Sequence, residues 1–188
     1  KNYTDVVRFA KLLVARDAND IGALGALLQA HILLQTEPEG IAYLDGLVSE
    51  SANAWGPDYV MAAHSLRSRD FAGARQHINR AVSKSAYAPA TTALYAQVYQ
   101  AAAAFEAQSG DLGKAREIIL EAMQNNEVTP QLLHLLIKVE LADNNATEAE
   151  KLLAELTQTA PGSALLYHAQ GDIAANKQDS QAAIENYR

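Results

Sequence analysis

One spacing governs what this chain can fold into. Polar stops followed by amphipathic runs begin at Asn2, Thr36, Asp70, Asp111, Asn145 and Asp179, separated by 34, 34, 41, 34 and 34 residues. Every leading residue is Asn, Asp or Thr, whose side-chain oxygen can accept a hydrogen bond from the orphan N–H groups of a helix's first turn, so each is expected to be a helix N-cap. Thr36 with Glu39 and Asn145 with Glu148 also stand at capping-box spacing. A fixed period of this length marks a repeat architecture, in which one supersecondary unit stacks on copies of itself.

The residues after each stop repeat as well. Four places on stand Val6, Gly40, Ala74, Ala115, Ala149 and Ala183, small in five of six cases, where two helices can approach closely. Four further on are Ala10, Leu44, Ile78, Ile119, Leu153 and Tyr187, and three beyond those Leu13, Leu47, Ala81, Ala122 and Leu156. This i, i+4, i+7 set is one buried stripe. The segments before each stop carry a second stripe, for example Leu24, Leu27, Leu28 and His31, or Leu133, Leu136 and Ile137, so each unit reads as a helical hairpin. Composition agrees: 37 Ala and 23 Leu with only 6% aromatic residues favour helix over strand.

At these residues the chain resembles the tetratricopeptide repeat (TPR), a 34-residue helix-turn-helix unit. The last unit matches best, with Tyr167, Gly171, Gln178-Asp179, Ala183 and Tyr187 in the family's places, and Pro161 closes the unit before it. Gly110-Asp111 with Ala115 and Ala122 fits the second helix of an earlier unit. Asp58 departs from the pattern in an aromatic place, and Leu28 and Ile137 stand where a small residue is usual. The resemblance implies an all-α, right-handed α-α superhelical solenoid of antiparallel pairs, about 10 helices in one domain over 1–188. Its parts are a trailing helix at 3–17, repeats at 21–54 and 55–88, an extended repeat at 89–129, a repeat at 130–163 and a truncated repeat at 164–188, together read as a fragment of a longer protein. An ordinary helical bundle is the competing architecture, but bundles show no fixed supersecondary period.

The 41-residue spacing places seven extra residues at Pro89-Ala90-Thr91-Thr92-Ala93-Leu94-Tyr95. Seven residues are close to two helical turns, which lengthens a helix by roughly 10 Å and turns its pattern by only about 20°. One helix from Pro89 to Ser109 is expected, with Leu94, Tyr95 and Tyr99 on or beside the added turns. They either fill a packing defect between sub-blocks or form a docking surface for a partner or a second copy.

Chemistry-bearing motifs are sparse. The absence of cysteine excludes disulfides and thiolate metal sites. Net charge -7 argues against a general nucleic-acid binder, and no apolar run is long enough to span a bilayer, so no membrane insertion by this segment is expected. No phosphate loop, nucleophile elbow or His-Glu-x-x-His pair occurs, and neither enzyme activity nor a cofactor is expected. Of five histidines, His134 and His168 stand out because they are 34 residues apart, hence stacked neighbours near Lys138 and Asp172. They read as a polar binding surface, with a metal or anion contact as the alternative. Glu140 and Asp143 are expected to be solvated. The sequons at Asn2 and Asn145 coincide with expected caps.

By resemblance, ligands are gripped by first-helix positions facing a concave groove. Carried over, these are Gln29, Tyr59, Arg67, Gln97, Gln100, Gln108, Gln131, His134, Lys138, His168, Asp172 and Asn176, with Leu33, Ala63, Ala104 and Leu141 between them. The carboxylate clamp of some family members is missing, since its places hold Gly25, Gln29, Tyr59 and Ala63. The resemblance implies a non-catalytic scaffold binding a protein or peptide, with amides suited to an extended backbone, a helix or a sugar chain. Two other roles fit the same residues: a segment of a bacterial envelope repeat protein serving exopolysaccharide export or surface-protein sorting, and an arm of a multidomain enzyme. Self-association is expected, if anywhere, through the truncated C-terminal end or the 89–109 helix.

Overall fold

The computed structural model describes residues 2–86, 88–125 and 129–187. Among these, the chain forms eleven helices and no strand: α1 (Tyr3–Val14), α2 (Ile21–Leu33), α3 (Glu37–Glu50), α4 (Gly56–Arg67), α5 (Phe71–Lys84), α6 (Pro89–Gln108), α7 (Leu112–Asn125), α8 (Pro130–Ala142), α9 (Ala146–Thr159), α10 (Ala164–Asn176) and α11 (Ser180–Tyr187). The first helix ends at Val14, three residues short of its expected limit, and α6 has 20 residues against 12–14 in the helices of the complete pairs around it. Two compact units divide the chain, 1–98 and 99–188.

In the first unit α1 packs on α2, α2 on α3 and α4, α3 on α4, and α4 on α5. In the second, α7 packs on α8, α8 on α9 and α10, α9 on α10, and α10 on α11. Each unit therefore follows one stacking rule: first helix on the next first helix, second helix on the next first helix. The small residues at the hairpin crossings are fully enclosed, with no accessible surface at Ala74, Ala115 and Ala149. Beside them the core is filled by Leu24, Leu44, Ile78 and Leu28 in the first unit and by Ile119, Leu133, Ile137 and Leu156 in the second. Gly171 is the tightest crossing, because a β-carbon there would lie 2.4 Å from Tyr187 Cε1.

The turn inside each hairpin repeats in detail. The N–H of Thr36, Asp70, Asp111, Asn145 and Asp179 donates to the carbonyl five residues earlier, at 2.8–3.0 Å. The residue before each is left-handed: Gln35, Arg69, Gly110, Asn144 and Gln178, with φ between 58° and 86°. This is a Schellman closure, which satisfies the last carbonyls of the first helix as the second begins. Only Gly110 and Asn144 are residue types that favour such a backbone.

Four of the six expected caps form: the side chains of Asn2, Asp70, Asp111 and Asp179 accept from Asp5, Gly73, Lys114 and Ala182 N–H. Thr36 and Asn145 do not cap, and neither capping box forms. Thr36 Oγ1 is taken by His31 Nδ1 at 2.8 Å, and Asn145 Nδ2 donates to Glu140 Oε2 at 2.9 Å, each partner lying five residues back. Four prolines open helices: Pro38, Pro57, Pro89 and Pro130, where a missing N–H costs nothing. The start of α4 is satisfied from afar, Asn19 Oδ1 accepting from both Trp55 N (2.8 Å) and Gly56 N (2.9 Å).

Leu94, Tyr95 and Tyr99 are 6%, 2% and 0% exposed. The extension of α6 thus buries its large side chains, which favours the packing role over the docking one of the two alternatives.

Candidate functional site

The first helices of the second unit, α8 and α10, bring several of the expected residues together. Successive first helices set equivalent residues side by side, so the 34-residue spacing of His134 and His168 becomes a stacked ring pair, with centroids 6.4 Å apart and planes at 25°. His134 Nε2 lies 3.1 Å from Asp172 Oδ2, and the carboxylate's need for a donor assigns the ring proton to Nε2. Asp172 accepts a second hydrogen bond at Oδ1 from the Tyr187 hydroxyl, at 2.6 Å. Tyr187 also leans against His168, centroid to centroid 5.9 Å. The Asp172 hydrogen bond, then burial and the carboxylate's charge, push the Tyr187 phenol up to about 12.

One turn along α8 from His134, Lys138 borders a cleft of about 270 Å³. The cleft is lined by Ala104, Ala107, Leu135, Val139 and Ala142, with Gln108 and Leu112 also contributing. The three alanines make the cleft: longer side chains would fill it. An apolar floor edged by an amide and an ammonium can seat a side chain while hydrogen-bonding the backbone beside it.

The remaining expected residues take no part in these hydrogen bonds, ring contacts or cleft walls. In the second unit Gln131 on α8 and Asn176 at the end of α10 are exposed, and Gln100 on α6 is half-buried. In the first unit Gln29 on α2, Arg67 at the end of α4 and Gln97 on α6 are exposed. Tyr59 is half-buried, edge-on to Trp55 at 6.2 Å and 84°. The larger cleft of the first unit, about 390 Å³, lies along α1 and α2 under Val6, Phe9 and Leu13 and includes none of the expected residues.

Two polar clusters escaped the sequence reading. Glu140, expected in solvent, is 3% exposed: Arg116 Nε and Nη2 grip its carboxylate at 2.6 and 3.0 Å, and Nη2 also reaches Asp143 at 2.7 Å. Asp58 has no accessible surface. Its carboxylate accepts from Arg80 Nε (2.9 Å) and Lys84 Nζ (3.0 Å), with His77 Nδ1 at 3.1 Å. Burial alone would raise its pKa, but the hydrogen bonds of His77, Arg80 and Lys84 and the Arg80 charge outweigh burial and hold it at about 2. The only sequence signal for this cluster is the misplaced acid itself, Asp58 in an otherwise aromatic place. No group of three or more His, Asp or Glu among the described residues converges as a metal ion would require, and none of their helices is long and apolar enough to cross a membrane.

No protein-family model matches the chain, and no curated protein matches it. Solved structures do. YrrB, a TPR protein with an unusual peptide-binding site, superposes with TM-score 0.50 at 13% identity, covering 99% of this chain and 89% of that one. Cut9 of the APC/C Cut9–Hcn1 hetero-tetramer gives 0.53 at 16% identity, covering 98% of this chain and 34% of that one. PilF of Pseudomonas aeruginosa gives 0.54 at 10% identity, with 98% and 88% covered. These likenesses establish the fold: an all-α, TPR-like array of helical hairpins.

Proposed function

We propose that this chain is a non-catalytic scaffold that binds a protein or peptide along the first helices of its second unit. The observation that carries this reading is the alanine-floored cleft at Ala104, Ala107 and Ala142, continued along α8 and α10 by Lys138, His134, His168 and Asp172. A partner side chain enters the cleft; its backbone meets donors and acceptors at Gln108, Lys138 and the imidazoles. His134 and Asp172 satisfy one another, with Tyr187 completing the carboxylate, and no serine or cysteine stands in the arrangement to be activated. Gln131, Gln100 and Asn176, and in the first unit Gln29, Tyr59, Arg67 and Gln97, extend the same surface type.

Site-specific photocrosslinking in cells tests the reading. A benzophenone side chain placed at Gln108, Lys138 or Gln131 should capture one polypeptide that is not captured from Gln76 or Glu155 on second helices, and Lys138→Glu should abolish the adduct. Capture from the second-helix positions alone overturns the assignment.

A further inference from the structure

The polar groups shared by α8 and α10 stand in two columns. His134 and Lys138 are four residues apart on α8, and His168 and Asp172 are four apart on α10, so each pair shares one face of its helix. The His134–His168 ring stack and the His134–Asp172 hydrogen bond join the columns into one four-cornered surface. That bond runs along one diagonal. The other diagonal, Lys138 and His168, is left over: both residues are exposed, and neither has a hydrogen bond or ion pair among the described residues.

The neighbours do not supply what these two corners lack. Asp172 is the only carboxylate of the four, and each of its oxygens already accepts a hydrogen bond, Oδ2 from His134 and Oδ1 from Tyr187. Tyr187 on α11 gives His168 a ring contact and no charge, and Glu185 on the same helix is hydrogen-bonded by Gln181. On α9, Glu148 is paired with Lys151 and Glu150 with Lys177, while Glu155 is exposed and makes no ion pair. With both imidazoles neutral the four corners hold one positive and one negative charge. Imidazole is the side chain whose charge changes between pH 5 and 8, and a proton on His168 adds a cation and a second ring N–H with no internal carboxylate left to meet them.

Lys138 also borders the alanine-floored cleft, one turn from its wall at Ala142. One turn is about 6 Å at ~1.5 Å per residue, and side chains two apart in an extended chain point the same way about 6.6 Å from each other. A chain that drops an apolar side chain into the cleft therefore carries its second-next side chain to the Lys138–His168 diagonal.

We infer that the partner presents an Asp or Glu side chain two residues from its apolar one, that this carboxylate lies between Lys138 and His168, and that binding tightens on acidification as His168 takes a proton. The inference rests on the second unit being a protein-binding surface and names what the partner carries there.

The test displays random twelve-residue peptides ahead of a neutral linker, selects them on the immobilised whole protein at pH 6.0, and measures the enriched peptides by fluorescence anisotropy at pH 6.0 and 7.5. Peptide carboxylates stay ionised across that range, so a change between the two reports the protein. The chain's net charge of -7 repels acidic peptides in general, so their enrichment points to a local cationic corner. Expected are peptides with an acid two residues from Leu, Met or Phe, bound about threefold tighter at pH 6.0 and weakened about fivefold by Lys138→Gln. His168→Gln should remove the pH step, and Ala104→Phe, which fills the cleft, should abolish binding. Enriched peptides that need the cleft but lack an acid, bind equally at both pH values, or keep their pH step in His168→Gln overturn the carboxylate inference and leave the scaffold reading standing. Peptides indifferent to Ala104→Phe, or no enrichment at all, overturn both.

Discussion

Asp58→Asn isolates the energetic role of the buried carboxylate. Asp58 has no accessible surface, and its carboxyl sits at about 2 in the folded protein against an ordinary 3.8. Each pKa unit corresponds to ~1.4 kcal/mol of preference for the charged form, so the cluster contributes about 2 kcal/mol at neutral pH. Asn keeps the shape and one acceptor while removing the charge. Arg80 and Lys84 retain enough exposure to turn toward water, which keeps the cost below the 3–5 kcal/mol typical of stranding a fully enclosed ion. Urea denaturation at pH 7 should therefore show a loss of about 2 kcal/mol. The pH dependence fixes the cause. Because the folded carboxyl binds its proton more weakly than the unfolded one, protonation favours unfolding. The wild type's advantage over Asp58→Asn is complete above about pH 4 and shrinks as the pH falls through 2. A difference under about 0.5 kcal/mol at pH 7, or one that stays constant from pH 5 to 2, would refute the account of this site.

Three further perturbations probe other parts of the molecule. Arg116→Ala strands the Glu140 carboxylate, which is 3% exposed, and should cost about 3 kcal/mol by chemical denaturation, with Glu140→Gln added to the same chain recovering part of it. Ala74→Leu and Ala149→Leu each force a larger side chain into a crossing with no accessible surface and should cost roughly 1–3 kcal/mol; neutrality at both would mean that the hairpins can open there freely. Gly110→Ala and Gly46→Ala should have opposite signs although neither new β-carbon meets any atom within 4 Å. At Gly110, with φ of 86°, alanine strains the backbone by about 1 kcal/mol, while inside α3 at Gly46 it stabilises by roughly 0.5–1 kcal/mol, both read from thermal melts.

Hairpin positions were legible in the sequence because the start of every second helix is an Asn, Asp or Thr placed directly after a turn of constant length. The turn's own geometry was not. Three of its five left-handed residues, Gln35, Arg69 and Gln178, carry no glycine or asparagine to announce it, and the closure is imposed by the paired helices rather than by local preference. Capping was over-read for a related reason. Thr36 and Asn145 have the same local chemistry as the capping residues, but the residue five places earlier decides what the side chain does. His31 and Glu140 reach forward and take it, whereas Ser65 and Ala174, and Glu106, which is held by Lys114 and finds no donor on an aspartate, leave Asp70, Asp179 and Asp111 free to cap.

The polar sites divide along the same line. His134 and His168 could be paired from sequence because one repeat period lies between them, and equivalent positions on successive first helices become neighbours by construction. Asp172 joins them one turn along α10. Tyr187 was missed because the same residue packs its ring on Gly171 and sends its hydroxyl to Asp172, and a hydrophobic stripe reports only the first role. The Asp58 cluster draws on residues 19, 22 and 26 places ahead, an offset set by how α5 runs back along α4. Periodicity compares equivalent positions between units, so it is blind to pairs formed across one hairpin. Where the aromatic place of the α4–α5 unit holds Asp58, the counter-charges of His77, Arg80 and Lys84 lie on the second helix of the same unit.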